Sequence, residues 1–507
     1  MSYSPPKVTV NVVPNPRIIN IAGDVRLPAV VGPGPTTVYV TDEAVVRGTG
    51  GNDTLAAYPS VGLNVTLVAK RSGLVSASVG SSIDNVPGLN GSLYMPSGSI
   101  PAGATGSISG YTATGGTVTW PQDPVNVAAG YIPPSGSTYF VSYNYPAGAS
   151  QYLPQTSSDK NNLVTLYGAE DNVTGCLTVA GSIALENGAP AVITCQISGS
   201  ISTQAYRDAI DKLRKKPNIE EIVVVFPSGS LPTATFREDV YTYLFQHTQQ
   251  MDIQGRWRGM YYGPGSPHYN AAGGSSDGIF DLIGDPSTPQ SYIGKATQYK
   301  NSDVTLVAPS YVWRFDKNNV RIELDGSYAG AAVAGAIAAQ PLRSTPITGF
   351  QLTGINIEEE KWDMFQMDNL GANGVLVLQN VGGVITIRDS ITTDPTSADT
   401  QEKSVMGQKR LVERTLEDSL FNVYTNKGIT INPQTVRDVE ATVRAILNSL
   451  VSQGELFGYG TKDDPSTGET KITAVQNAQE PRRIDVTCSV KYLYPLKFIV
   501  VTVSTYV

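Results

Sequence analysis

The stretch from residue 342 to residue 507 constrains the fold most, because it holds the clearest helical pattern of the chain between two groups of strand patterns. Asn432 is placed to cap this helix, and Pro433 suits its first position. Apolar residues then recur at helical spacing until a stop near Gly454. They are Val436, Val439, Val443, Ile446, Leu447, Leu450 and Val451. The pattern predicts an amphipathic helix with one face against a core.

Strand and turn patterns surround this helix. An apolar run over residues 347–357 ends at an acidic cluster, residues 368–374 are typical of a turn, and residues 375–378 and 384–389 follow as strands. A second helical pattern precedes Asn432, and the chain closes on alternating strands at residues 484–490 and 498–503. Residues 342–507 therefore predict a C-terminal α/β layer that ends in a strand arm.

Residues 191–309 alternate between strand and helix patterns. Strands are expected at 192–197, 221–226, 258–262 and 304–308, and helices at 203–216, 236–250 and 291–299. A small-residue run at 329–339 is too short for the about 20 residues that span a bilayer. We expect it to form a buried helix in close backbone contact with a neighbour. Together, residues 191–341 predict an α/β middle domain.

The first 190 residues have a different character. Residues 1–40 are short extended pieces divided by prolines, and they predict an N-terminal arm and first core strands that need a sheet to join. Residues 41–190 are β-like, and Asp123 is the only charged residue between positions 91 and 150. They predict a β-rich inserted outer domain, with a disordered Gly/Ser-rich linker as the alternative. The expected fold class is α+β and multidomain, with a mixed α/β core.

Composition excludes several functions. The chain has 507 residues, enough for about three domains, and a net charge of −8 with no basic block, so we expect no direct nucleic-acid partner and no stable membrane insertion. The opening residues lack the apolar core of a secretory signal. Cys176, Cys195 and Cys488 are too few and scattered for a disulfide framework or a zinc site, and they predict small buried residues in a reducing cytoplasm.

Catalytic patterns are weak. A Gly-x-Ser-x-Gly motif places Ser276 near His268, but it lies in a loop composition instead of between a strand and a helix. The other histidine, His247, sits in a helical pattern and is expected to pack there. No phosphate-binding loop occurs. The sequence therefore predicts no enzyme, no metal and no cofactor.

The order of elements resembles the tail sheath proteins of contractile bacteriophages and of related contractile injection systems. The resemblance covers about a third of the chain. It rests on the small-residue helix before Pro341, residues 368–375, residues 387–393, the helix after Asn432 and the final strands. It implies a structural subunit that stacks in six-membered helical rings around a tail tube. On triggering, the sheath would shorten and drive the tube through the target envelope.

The same resemblance implies partners and a location. The partners would be further copies of the chain, the tail tube protein, and baseplate and tail terminator proteins. The location would be the virion tail, with assembly in the cytoplasm of the host bacterium. The resemblance also implies that N- and C-terminal extensions link the subunits by completing a sheet in an adjacent copy, which would tether neighbours while rigid domains slide.

Two sets of residues are candidates for contacts between copies. The candidate subunit-linking strands contain Val8, Val10, Val12, Ile484, Val486, Val490, Phe498, Val500, Val501 and Val503. Covering the final strand within its own domain is the alternative. The candidate interface charges are Glu358, Glu359, Glu360, Arg482 and Arg483. The glutamates could form a solvated edge, a cation site, or an interface patch that contacts a basic residue of a neighbour, such as Arg410, Arg482 or Arg483.

A second function stays open. A virion-associated glycan-binding or esterase-like protein could use Trp120, Tyr131, Tyr139 and Tyr143 of the inserted region to stack on sugars.

Overall fold

The computed structural model describes residues 26–34, 152–168, 170, 175–227, 233–265, 282–316, 319–357, 362–425, 429–459 and 472–495, together with the backbone of six strands between residues 37 and 146. Several predicted residues lie outside these ranges. They are Val8, Val10, Val12, Trp120, Tyr131, His268, Ser276, Glu358, Glu359, Glu360, Phe498, Val500, Val501 and Val503.

The described strands are labelled in chain order. They are β1 (Leu27–Gly32), β2 (Thr37–Val46), β3 (Asn52–Thr54), β4 (Ser92–Tyr94), β5 (Thr112–Thr114), β6 (Thr117–Thr119), β7 (Thr138–Pro146), β8 (Gln155–Ser157), β9 (Val192–Gln196), β10 (Ile219–Val224), β11 (Gly259–Tyr262), β12 (Val304–Ala308), β13 (Tyr311–Phe315), β14 (Arg321–Asp325), β15 (Gln351–Leu352), β16 (Val375–Val381), β17 (Val384–Ile387), β18 (Gly458–Tyr459), β19 (Thr473–Gln476), β20 (Ile484–Thr487) and β21 (Val490–Lys491).

The described α-helices are labelled in the same way. They are α1 (Lys160–Tyr167), α2 (Cys176–Glu186), α3 (Thr203–Lys212), α4 (Ala234–Ile253), α5 (Tyr292–Tyr299), α6 (Gly326–Ala339), α7 (Met364–Ala372), α8 (Ala398–Gln401), α9 (Lys403–Leu420) and α10 (Pro433–Ser452). A 3-10 turn at Leu213–Lys215 extends α3, and a π turn at Phe421–Thr425 extends α9.

The chain divides into two compact units. One contains Met1–Pro33, Pro154–Lys160 and Asp171–Val507, and the other contains Gly34–Leu153 and Asn161–Glu170. In the second unit, β7 pairs antiparallel with β2 and β4, and β6 pairs antiparallel with β3 and β5. The predicted division into four domains remains a prediction.

A nine-stranded sheet organises the first unit. Its order is β15-β17-β16-β12-β11-β10-β1-β9-β8. The six strands from β9 to β16 in this order run parallel, and β8, β15 and β17 add antiparallel pairs at the two edges. Helices cover both faces of the parallel strands, and these strands are mostly apolar, with the buried Glu220 and Glu221 of β10 as exceptions. The sheet continues across residue 341, since β12 pairs with β16.

One face of this sheet is covered by the small-residue helix α6, which packs on β1, β10, β11 and β12 and against α2. A Cβ added at Gly335 would stand 2.3 Å from the carbonyl oxygen of Ala184 in α2, so only glycine permits this approach. The prediction of a buried helix in close backbone contact is confirmed. Helices α3, α4, α5 and α7 contribute to the core on the opposite face.

The predicted alternation over residues 191–309 is confirmed, with element ends shifted by a few residues. Among the described residues, no helix is both long and apolar enough to cross a membrane.

Two predictions of local structure are wrong. Residues 368–372 belong to α7 instead of a turn, because Asp363 and Gln366 form a capping box that starts a helix, and Met367 and Leu370 then bury one face. Only Asn373 and Gly374 turn, the glycine at a φ of 85°.

The second error lies in the β-like interpretation of residues 41–190, because the structure has the helices α1 and α2 near the end of this range. Nine of the eleven residues of α2 are buried, so this helix has no polar stripe that would reveal a helical period in the sequence.

Candidate assembly site

The C-terminal segment forms a helix pair with its own core. Leu416 and Leu420 of α9 share a buried cluster with Val443 and Leu447 of α10. Asn432 caps α10, accepting a hydrogen bond from the Thr435 N–H at 2.8 Å. The predicted cap, first-turn proline and apolar stripe of α10 are confirmed.

Two short ladders lie beside this helix pair. β19 pairs with β20, and β18 pairs with β21, both antiparallel. The predicted single strand at 484–490 is therefore two strands in different ladders. Ile484 of β20 is buried in the helix-pair core, and Val486 and Val490 pack partly buried against it. Whether these three residues link subunits stays a prediction.

Each ladder has only two strands among the described residues, so each leaves backbone donors and acceptors on its outer edges. Apolar side chains of the same region face solvent. Phe457 is 68% exposed, Val475 59% and Tyr494 52%. Helix pair, ladders and exposed apolar groups together are called the C-terminal module, residues 403–495.

The buried side-chain amide of Gln408 binds the backbone of Leu493, close to the end of the described residues. Gln408 of α9 is completely buried and makes two hydrogen bonds to the backbone of Leu493: its Oε1 accepts from the N–H at 2.8 Å, and its Nε2 donates to the carbonyl oxygen at 2.9 Å. The side chain thus substitutes for a neighbouring strand at this residue. It determines where the chain leaves the C-terminal module toward residues 496–507.

A cluster of buried charges fastens α9 to the sheet. The Glu221 carboxylate of β10 accepts from Lys403 Nζ at 3.1 Å and from Arg410 at 3.4 Å, and Arg410 also donates to Asp303 at 2.5 Å. Lys403 donates a further hydrogen bond to Thr305 of β12 at 2.8 Å.

Burial sets the electrostatics of this cluster. Burial lowers the pKa of Lys403, with Arg410 acting in the same direction and Glu221 opposing it. Burial also disfavours the charged form of Arg410, but Asp303 and Glu221 raise its pKa overall. Arg410 is 4% exposed, and its charge is paired with the carboxylates of Glu221 and Asp303 within the same chain.

A second buried contact joins α10 to the segment after α6. Arg343 pairs with Glu220 of β10, and the Glu455 carboxylate accepts from the backbone N–H of Arg343 at 2.9 Å and of Ser344 at 3.2 Å. Sequence inspection missed both clusters. Two carboxylates inside the apolar strand β10, and two cations seven residues apart on one face of α9, were signals that could have found them.

The remaining candidates lie elsewhere. Arg482 and Arg483 are exposed at the start of β20, where Arg483 contacts Asp485 at 2.5 Å. Tyr139 and Tyr143 belong to β7, of which only the backbone is described. The predicted contacts of Arg482 and Arg483 with another copy stay untested.

Two described side chains of types that enzymes use in catalysis, His247 and Cys195, are buried. His247 is 1% exposed in α4, and burial, with Arg258 nearby, lowers its pKa to about 3. Its prediction as a packed helix residue is confirmed. Burial raises the pKa of the Cys195 thiol to about 12. Among the described residues, no group of three His, Cys, Asp or Glu side chains could hold a metal ion.

Known proteins resemble the chain in sequence and in fold. It is 25% identical over 387 residues to the tail sheath protein of Mycobacterium phage Bxz1. The match covers 75% of this chain and 60% of that protein, so the chain spans about 60% of the length of this curated relative. No protein-family model matches the sequence.

Two structures of the anti-feeding prophage share the fold at a TM-score of 0.50 over 71% of this chain and 90% of theirs. One is a chain of its helical sheath in the contracted state, 13% identical, and the other a chain of its six-fold symmetrised baseplate, 14% identical. The chain thus shares its fold with these two chains. It is similar in sequence to a tail sheath protein, which confirms the resemblance drawn from the sequence.

Proposed function

We propose that this chain is the structural subunit of a contractile tail sheath. It polymerises helically around a tail tube and contracts to drive the tube through the envelope of a target cell. The similarity to a phage tail sheath protein over 387 residues carries the proposal. The sheath fold of the anti-feeding prophage over 71% of the chain supports it.

The C-terminal module supplies a physical basis for polymerisation. Two-stranded ladders have outer edges that can accept a strand from another copy, and such pairing gives affinity through backbone hydrogen bonds. Phe457 and Val475 offer apolar area close to those edges. We infer that residues 496–507, leaving the module at the point held by Gln408, donate a strand containing Phe498, Val500, Val501 and Val503 to a neighbour. Residues 8–12 would act in the same way.

Contraction requires a contact that repeats without closing on itself and two packings of the same subunit. Strand exchange suits this, because backbone pairing keeps neighbours tethered while weaker side-chain contacts rearrange. The buried charges that bind α9 to β10 and β12 would keep each subunit rigid during that movement. The free energy for the work then comes from interface formed on contraction, with no catalytic step in the subunit.

Partners follow from the same proposal. The chain would bind further copies in six-membered rings, the tail tube protein, and baseplate and tail terminator proteins. Its place would be the virion tail after assembly in the cytoplasm of the host. A structural, non-enzymatic role suits a protein of this kind.

Negative-stain electron microscopy of the purified chain tests the proposal. We expect open-ended hollow tubes from the full-length protein, and folded subunits without tubes from a version that ends at Tyr494. That version retains Gln408 and Leu493, so its fold should persist, which circular dichroism checks. A full-length Phe498→Ser/Val500→Ser variant should also lose tubes, whereas the Thr502→Ser control should form them.

Compact particles of one size from the full-length protein, even at high concentration, would contradict the sheath function. Glycan binding, or an esterase activity lost in Ser276→Ala, would then favour the second function. Tubes from the shortened version would instead contradict only the role given to the C-terminal arm.

A further inference from the structure

A pocket of about 240 Å³ lies at the N-terminal ends of β10 and β11, two central strands of the nine-stranded sheet. Residues 215–219 enter β10 there, and residues 255–258 enter β11. Cations dominate its lining: Lys215, Lys216, Arg256, Arg258, Arg343, Arg410 and Arg414, against the acids Glu220 and Asp418.

The acids that line the pocket are already engaged. Glu220 pairs with Arg343, and Asp418 lies 3.8 Å from Arg414. Arg410 is neutralised by Glu221 and Asp303 on the sheet side. The remaining four cations, Lys215, Lys216, Arg256 and Arg258, have no carboxylate partner among the described residues.

Arg258 is the unusual member of this group. It is 2% exposed, and its guanidinium donates to the carbonyl oxygens of Leu213 at 3.0 Å and Lys216 at 2.9 Å and contacts His247 Nε2 at 3.0 Å. Burial, followed by the charges of Arg256 and Arg214, lowers its pKa to about 10. A buried cation among other cations is unfavourable unless an anion joins it.

The longest acidic run of the chain is Glu358, Glu359 and Glu360, and the described residues that flank it lie at the opposite ends of the sheet strands. On one side of it, Asn356 exchanges backbone hydrogen bonds with Trp313 of β13, which follows the end of β12. On the other side, Trp362 packs edge-on against Tyr292 at the start of α5. This helix leads the chain from the C-terminal ends of the parallel strands back to the beginning of β12.

Chain length keeps the acidic run of one copy away from its own pocket. No backbone atom of the run can be more than about 8 Å from residue 357 or 362, whereas a six-residue strand such as β10 separates the two ends of the strands by about 20 Å. A neighbouring copy placed end to end has no such restriction.

We propose that the pocket binds the carboxylates of Glu358, Glu359 and Glu360 from an adjacent copy of this chain. The inference rests on the proposed polymerisation and names one of its contacts. The pocket and the residues that flank the acidic run lie at opposite ends of the sheet strands. The contact between copies is therefore heterologous and repeats without closing, as an open-ended tube requires. Lys215 and Lys216 belong to the longest basic run of the chain, which gives the charge complementarity.

Charge exchange tests the contact. Lys215→Glu/Lys216→Glu should lose tubes in electron micrographs at physiological salt, and so should Glu358→Lys/Glu359→Lys/Glu360→Lys. Combining the five changes should restore tubes. As a control with the same change in net charge as the lysine reversal, Lys300→Glu/Arg437→Glu alters two exposed cations outside the pocket and should form tubes normally.

A second measurement does not depend on tube growth. A synthetic peptide of residues 355–363 should bind the version that ends at Tyr494 in isothermal titration calorimetry, and binding should be lost with Lys215→Glu/Lys216→Glu and weakened by added salt. Tubes from the wild-type protein together with unchanged tubes from both reversals would overturn the contact while leaving the sheath function intact. Absence of tubes from the wild-type protein is the separate failure of the proposed function, and absence of peptide binding overturns the pocket directly.

Discussion

At the scale of single residues, Glu221 pairs with two buried cations of the protein interior. Its carboxylate serves both Lys403 and Arg410, and all three side chains are almost fully buried. Glu221→Gln keeps the shape but leaves two buried cations with Asp303 as their one acid, so we expect a loss of about 3–5 kcal/mol in the free energy of unfolding. Urea denaturation at low protein concentration measures it. Glu440→Gln, which removes a half-exposed pair with Arg444, should cost under about 0.5 kcal/mol, and equal losses would contradict the argument.

His247 makes stability depend on pH. Its pKa is about 3 in the folded protein and near 6.5 when unfolded, so between these values the unfolded chain binds one more proton. Its contribution to stability is therefore complete above pH 6.5 and falls as the pH drops toward 3, by about 1.4 kcal/mol per pH unit. His247→Gln should flatten this part of the stability profile relative to the wild-type protein. Identical profiles from pH 4 to 7 would show that the histidine takes up no proton on unfolding.

At the scale of elements, the contact of α6 with α2 determines how closely two helices approach on one face of the sheet. Gly335 has no space for a side chain, since a Cβ would overlap the Ala184 backbone. Gly335→Val should destabilise the protein by about 1–3 kcal/mol or more, seen as a lower thermal midpoint. Gly407→Ala is the matched control, because its Cβ would meet its nearest neighbour at 3.4 Å and alanine favours the helix. A stable Gly335→Val protein would mean that the helices can separate without loss.

The helices also differ in how well they can be predicted from the sequence. The α10 helix was predictable because a cap, a proline and an apolar stripe agree within one segment. The α2 helix was not, because a helix buried on every side shows no period, and α7 was hidden by asparagine and glycine residues that are also typical of turns. Gln408 was missed for another reason: its partner, Leu493, is 85 residues away in the chain.

At the scale of the whole molecule, the unit containing β2 to β7 is inserted between two strands of the nine-stranded sheet, β1 and β8. Both strands flank β9, so the two chain ends that enclose the insertion are separated by two strand spacings, about 10 Å. A variant in which residues 36–150 are replaced by a short Gly-Ser linker should therefore fold and unfold cooperatively, with the helix content expected of the remaining chain by circular dichroism. Aggregation or loss of cooperative unfolding would show that the sheet depends on the inserted residues.

The sequence by itself determined the alternation of strands and helices over residues 191–309, the α10 helix, the buried small-residue helix and the likeness to sheath proteins. These depend on local periods, caps and the order of elements along the chain, which the sequence displays directly. Tertiary structure alone decided that β1 pairs with both β9 and β10, that Arg410 is internal, that Gln408 holds Leu493, and that the pocket beside β10 gathers cations from four separate segments. Each of these contacts joins residues that are far apart in the chain. The spacing of residues in the sequence does not show which distant residue pairs with a buried charge or hydrogen-bonds to a strand.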